Sequence, residues 1–159
     1  MTEGTGSSFI VELEGVDEVV RRLEKIPEAT EAVLQRLAEL VKLAAIPYPP
    51  EGPWNRPGPY PSHWYQRQFG PRWTVKSGEV RGRNTSEMLQ KSWVTGRQGR
   101  FEQYVGTRVS YADYVMGERQ TGFHQAHGWR RLRDVAYDVV RDNLSEIGRE
   151  EIERAVEEG

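Results

Sequence analysis

Cysteine is missing from this 159-residue chain, which excludes disulfide stapling and thiolate metal sites and fits a reducing compartment such as a bacterial cytoplasm. Long apolar runs are missing as well. Nowhere do about 18 apolar residues follow one another, as a membrane-spanning helix requires, so no membrane partner is expected. The opening, Met1 to Ser8, lacks the cationic and apolar regions of a signal peptide; residues 1–7 are expected to be a disordered N-terminus. No Walker-type loop, Gly-x-Gly-x-x-Gly turn, Gly-x-Ser-x-Gly elbow or His-Glu-x-x-His pair occurs. Phosphate cradling, nucleophilic catalysis and zinc hydrolysis each lack the residues they need. The expectation is a protein that is not an enzyme, with no cofactor, no metal and no catalytic residue.

Apolar residues are sparse too, at 36% against 29% charged, which points to long exposed segments or to surfaces completed by neighbouring subunits. The length suits one domain over residues 1–159. Net charge is only -2, but it is unevenly placed: residues 1–46 carry -4, residues 47–133 carry +8 and residues 134–159 carry -6. A basic middle between acidic ends suits nucleic-acid binding; in a repeated subunit it equally lets one copy's basic surface meet the next copy's acidic helix.

Along the chain, Ser8-Phe-Ile-Val-Glu-Leu13 reads as a short strand ending at Gly15. Val16, Val19, Val20 and Leu23 recur at helical spacing until Pro27, itself suited to be the first residue of a second helix. In that helix Val33, Leu34, Leu37, Leu40, Val41 and Ala44 form the apolar stripe. Seven of the nine prolines then fall between Pro47 and Pro61, within a Pro- and aromatic-rich loop over 47–72 that neither helix nor central strand survives. Its aromatics, among them Trp54, Tyr60, Trp64 and Tyr65, are unlike a solvated linker, and either docking on a partner subunit or packing on its own domain accounts for them.

A β-meander is expected over 73–115. Trp73 to Lys76 and Glu79 to Arg81 flank Ser77-Gly78; a helical turn near Ser86 to Lys91 follows. Ser92 to Thr95 and Phe101 to Thr107 then flank a five-residue turn, Gly96 to Arg100. A loop rich in glycine, aromatics and arginine spans 116–132. A helix over 133–158 closes the chain, with a bend or break expected at Gly148. The order implies an α+β fold: a small antiparallel sheet covered on one face by helices, with a long C-terminal helix and a long Pro-rich loop.

Two segments go further: Thr85-Ser-Glu-Met-Leu-Gln-Lys-Ser-Trp93, leading into a strand, and Tyr111-Ala-Asp-Tyr-Val-Met-Gly-Glu-Arg-Gln-Thr-Gly-Phe-His-Gln-Ala-His-Gly-Trp129. In this order they resemble the head-to-tail joining, or tail-completion (neck), proteins of long-tailed bacteriophages and prophages. The resemblance spans roughly residues 9 to 145, and the second segment is its more specific part. Glu87 departs from it, standing where the family has glycine; a helical turn capped by Ser86 suits that residue better.

The resemblance implies a structural virion protein at the head–tail junction, present in host cytoplasm before assembly. It implies a ring of this chain, a hexamer, contacting head-connector and tail-tube or tail-terminator proteins. A tail-terminator or minor tail protein is an alternative, as is a nucleic-acid-binding protein or toxin-like nuclease using the basic centre. Tyr111, Tyr114, Phe123 and Trp129 are expected to supply rigid contact area between sharp glycine turns, the alternative being that they plug the domain's own core. On the contact reading, Trp129→Ala stays folded but fails to join heads to tails. Arg119, Arg130, Arg131 and Arg133 form an acid-free patch for a neighbour's acidic helix, channel DNA or solvent. His124, His127 and Glu118 are too few for a zinc site, and Ser92 or Ser110 with Asp113 and a histidine lacks the context of a nucleophile.

Overall fold

The computed structural model describes residues 17–47, 73–74, 77, 80–81, 88–126 and 128–158. The expected strand Ser8–Leu13, residues 48–72 of the Pro-rich loop with Trp54, Tyr60, Trp64 and Tyr65, the Ser86 cap and His127 lie outside them. The fold is α+β: mostly helices, with short antiparallel strand pairs and a long C-terminal helix.

Helix α1 (Asp17–Leu23) has acids in its first turn and arginines in its last, the order the helix dipole favours, and Glu18 pairs with Arg22 one turn on at 2.9 Å. Pro27 starts α2 (Pro27–Ala45), as its fixed φ and missing N–H predict. The corner between them is closed by Thr30, whose hydroxyl lies 2.7 Å from the Leu23 carbonyl and 3.3 Å from that of Ile26, satisfying acceptors that a helix end leaves open.

Ala29, Val33, Leu37, Val41 and Ala45 of α2 are buried at near-helical spacing. They face α6 (Leu132–Glu158), which runs beside α2 in the opposite sense: Ala45 shares a cluster with Leu132, whereas Arg36 meets Glu150 and Glu151. One core cluster joins Leu23, Ala29, Val33 and Leu37 to Leu144 and Ile147. The other gathers Ala45, Leu89, Trp93, Val115, Met116 and Trp129.

Gly148 does not break α6. The helix continues through it, and the missing side chain makes room for α1: a Cβ there would lie 2.5 Å from Cγ1 of Val19. Glycine lowers helix propensity, and here its missing side chain serves close helix packing, so the helix is not broken at this position.

The described strands pair two by two. β1 (Trp73–Thr74) is antiparallel to β2 (Val80–Arg81), with Trp73 opposite Arg81. After the short helix α3 (Met88–Lys91), β3 (Val94–Gly99) pairs with β4 (Glu102–Gly106). The expected five-residue turn shortens to Arg100-Phe101, because Gly96 to Gly99 continue the strand. Gly96 serves there as the seat of the Tyr104 ring, which occupies the place of its absent Cβ. A bulge between Arg97 and Gly99 takes up the extra residue.

One face of the hairpin lies on α2 and is held by charge. Arg97 and Arg100 reach Glu31 at 3.2 and 2.6 Å, and the Thr95 hydroxyl donates to Glu39. The Arg100 hydrogen bond holds the Glu31 carboxyl below its ordinary value, with Arg97 adding to it; the bond from Thr95, then that from Lys42, does the same for Glu39.

Candidate functional site

The second motif, expected to be strand and loop, folds instead into two short helices around one core. α4 (Ala112–Met116) follows Tyr111, and α5 (Gly122–Ala126) precedes Trp129. On α4, Val115 and Met116 turn inward, Met116 to 1% exposure, while Tyr111 and Tyr114 stay 46% and 45% exposed. Two aromatics three residues apart thus share the outer face of a helix whose inner face is locked in the core.

Side chains rather than regular structure hold the segment. Asp113 accepts from the Arg119 backbone N–H at 3.3 Å and from its guanidinium, folding over Gly117 where a Cβ would collide with it. That guanidinium lies 4.7 Å from the centre of the Tyr114 ring, a cation–π contact that orients the tyrosine. The Gln120 amide donates to the carbonyls of Val115 at 2.8 Å and Trp129 at 3.0 Å, tying the two ends of the segment together.

α5 begins at Thr121, whose hydroxyl accepts from the His124 N–H at 3.4 Å. It ends at Gly128, at φ 82°, with Trp129 N–H donating to the His124 carbonyl and Gly128 N–H to that of Gln125. This is a Schellman closure, and the left-handed residue is a glycine because a Cβ would be strained there. The closure directs Trp129 inward. At 7% exposure, edge-on to His124 at 5.8 Å, Trp129 belongs to the chain's own core and not to the contact surface expected of it. Phe123 is 43% exposed, edge-on to His124.

The arginine patch is largely engaged within the chain. Arg119 pairs with Asp113, Arg130 with Asp138 at 2.7 Å and Arg133 with Glu118 at 3.1 Å. Hydrogen bonding from Arg119 lowers the Asp113 carboxyl, and that from Arg130, with Arg141 adding to it, lowers Asp138. Among the described residues, Arg131 and Arg108 have no carboxylate within ion-pair distance.

Among the described residues, Asp113, His124 and Ser92 each hold partners outside a nucleophile set. Asp113 holds Arg119, and His124 Nδ1 sits 2.7 Å from the Thr121 hydroxyl. Ser92 donates to the Leu89 carbonyl at 3.2 Å and lies 2.7 Å from the Thr107 hydroxyl, which in turn accepts from Val109 N–H. Among the described residues no group of three metal-binding side chains occurs, and no helix is long and apolar enough to cross a membrane.

The four lowered carboxyls make stability sensitive to acid. A depressed folded-state pKa contributes stability above the unfolded value, here the ordinary 4.5 of Glu31 and Glu39 and 3.8 of Asp113 and Asp138, and loses it as pH falls through the folded value. The melting temperature should therefore fall below those values, less steeply in high salt because the pairs are exposed. Arg100→Gln should melt below the unsubstituted chain at pH 7 and approach it at acid pH; a gap that does not narrow would contradict the assignment to Glu31.

No known family model matches the chain, nor does any curated protein or solved structure.

Proposed function

We propose that the chain is a structural subunit of a long-tailed phage particle, forming a ring at the junction of head and tail. The chief support is the order of the two motifs, the first running into the helix–strand step α3–β3 and the second folding into an end that exposes Tyr111, Tyr114 and Phe123. Tyr111 and Tyr114 are half exposed, and Tyr114 is pinned by Arg119, itself held by Asp113. A preoriented Tyr114 offers contact area with less rotamer entropy left to lose, which suits a repeated protein interface. The adjoining partners are head-connector and tail-tube or tail-terminator rings.

The test is genetic and structural. Particles from a host producing the phage should contain the chain, and deleting its gene should yield filled heads and finished tails that remain apart. Tyr111→Ser/Tyr114→Ser should be as stable as the parent chain yet give the same unjoined particles. Normal, infectious particles without this polypeptide would end the proposal.

A further inference from the structure

We infer that neighbouring copies meet end to end along α6, the acidic final turns around Val156 receiving the basic end of the next copy at Arg131 and Arg108. The inference rests on the ring reading above and adds which surfaces meet.

Charge along α6 runs against the helix dipole. The N-terminal end of a helix is its positive end, yet Arg130 and Arg131 just before this one and Arg133 in its first turn outnumber the favourable Asp134 there. The C-terminal end is negative, yet Glu153, Glu157 and Glu158 occupy the last turns and no basic residue lies in the last turn. Each arrangement is locally unfavourable. Inside the chain it is only partly compensated: Asp138 takes Arg130, Glu118 takes Arg133, and Arg36 takes Glu150 and Glu151. Among the described residues, Arg131 and Arg108 at one end and Glu153, Glu157 and Glu158 at the other have no oppositely charged side chain within ion-pair distance.

Both ends also carry apolar surface. Val156, at 67%, is the most exposed large apolar side chain among the described residues, and Glu153, Glu157 and Glu158 lie within three residues of it in the helix. At the other end, Tyr111 and Tyr114 are exposed beside the cluster that buries Trp129 and receives Leu132 and Val109, the neighbours of Arg131 and Arg108. An apolar centre inside a charged rim is the usual anatomy of a protein contact. A helix of 27 residues holds its ends about 40 Å apart, so they cannot meet within one chain. A second copy supplies the complement of each, and such a head-to-tail contact closes into a ring when the rotation allows.

The test uses the full chain in sedimentation velocity over a range of salt. Wild type should associate at low salt and dissociate as salt screens the pairs. Arg108→Glu/Arg131→Glu and Glu153→Lys/Glu157→Lys/Glu158→Lys should each stay monomeric, with self-affinity reduced on the order of 100-fold or more by like charges facing each other. Mixed in equal amounts the two variants should co-assemble, since each then offers what the other needs. The lysine variant should also melt no lower than wild type, because lysines suit a helix C-terminus, so its lost assembly is not lost folding.

Association of either variant like wild type overturns this inference and leaves the ring reading standing. A wild type that stays monomeric at every concentration overturns it too, and the ring reading then falls if the chain is also absent from particles. Steeply salt-dependent binding of plain duplex DNA by a monomeric wild type, lost in the arginine variant, would assign the basic end to nucleic acid and overturn it equally.

Discussion

Trp129→Ala should lower the stability of the chain by about 3–5 kcal/mol, the range for truncating a large buried aromatic. Trp129 shares one buried cluster with Met116, Val115, Trp93, Leu89 and Ala45, which joins residues of α2, α3 and α4 to the approach to α6. The site has little freedom to collapse. The Trp129 carbonyl is held by Gln120, and the backbone before it by the closure at Gly128. A loss of that size is comparable with the whole stability of a marginal domain, so much of the protein should be unfolded at 37 °C. Tyr114→Ala, by contrast, removes a half-exposed ring and one surface cation–π contact, and should cost about 1 kcal/mol or less. Equilibrium urea unfolding of the two variants separates them, and an unchanged midpoint for Trp129→Ala would mean that the tryptophan is not part of the core. The consequence for assembly is direct: a defect in Trp129→Ala particles would report unfolding, so Tyr111 and Tyr114 are the residues through which to test contact.

The second large effect is expected at Glu151, 3% exposed on the inner face of α6. Its carboxylate accepts from Arg36 at 2.7 Å and from Arg154 at 3.1 and 2.8 Å, a set of charge-assisted bonds that offsets the cost of burying it. Arg36 also reaches Glu150 at 2.8 Å, and the bond to Glu151, then that to Glu150, raises its pKa. Removing the two partners should therefore have unequal effects. Arg36→Met strands a buried carboxylate with one exposed arginine and should cost about 2 kcal/mol, below the 3–5 of a fully buried pair because the Arg36 guanidinium is partly solvated. Glu151→Leu leaves Arg36 wet and still paired with Glu150, and should cost about 1 kcal/mol or less. The double variant should return to within about 1 kcal/mol of the parent, since an apolar pair replaces an ionic one on the α2–α6 seam. Equal losses in the two single variants would remove the argument.

The elements were legible wherever their signal is local. The stripe from Val33 to Ala44, proline at position 27 and the long final pattern fix α2 and α6 to within a residue or two, and the strands around Ser77-Gly78 and Gly96 to Arg100 are paired as their β-branched and aromatic residues imply. The turn lengths were less legible. Gly96 marks a tyrosine's seat as readily as a turn, and only the register distinguishes them. Tyr111, Tyr114 and Val115 favour strands, yet Ala112–Met116 is helical, with Val115 and Met116 both in the core.

The contact surface was half legible. Tyr111, Tyr114, Phe123 and Trp129 looked alike as aromatics between glycines, but the chain buries one and leaves three on the outside. Glu151 is the converse case, an acid in a run of acids whose burial no local pattern announces.

Composition, charge placement and periodicity by themselves determined the class of this protein, the course of its two long helices and the unequal distribution of its charge. Tertiary structure alone decided that Trp129 is core, that Gly148 is a helix contact and that most of the arginine patch is neutralised at home. The division has a physical reason. Backbone preference and amphipathic spacing act over a few residues, whereas burial and ion pairing depend on which distant element arrives opposite a side chain, as Val19 does at Gly148 and Arg36 does at Glu151.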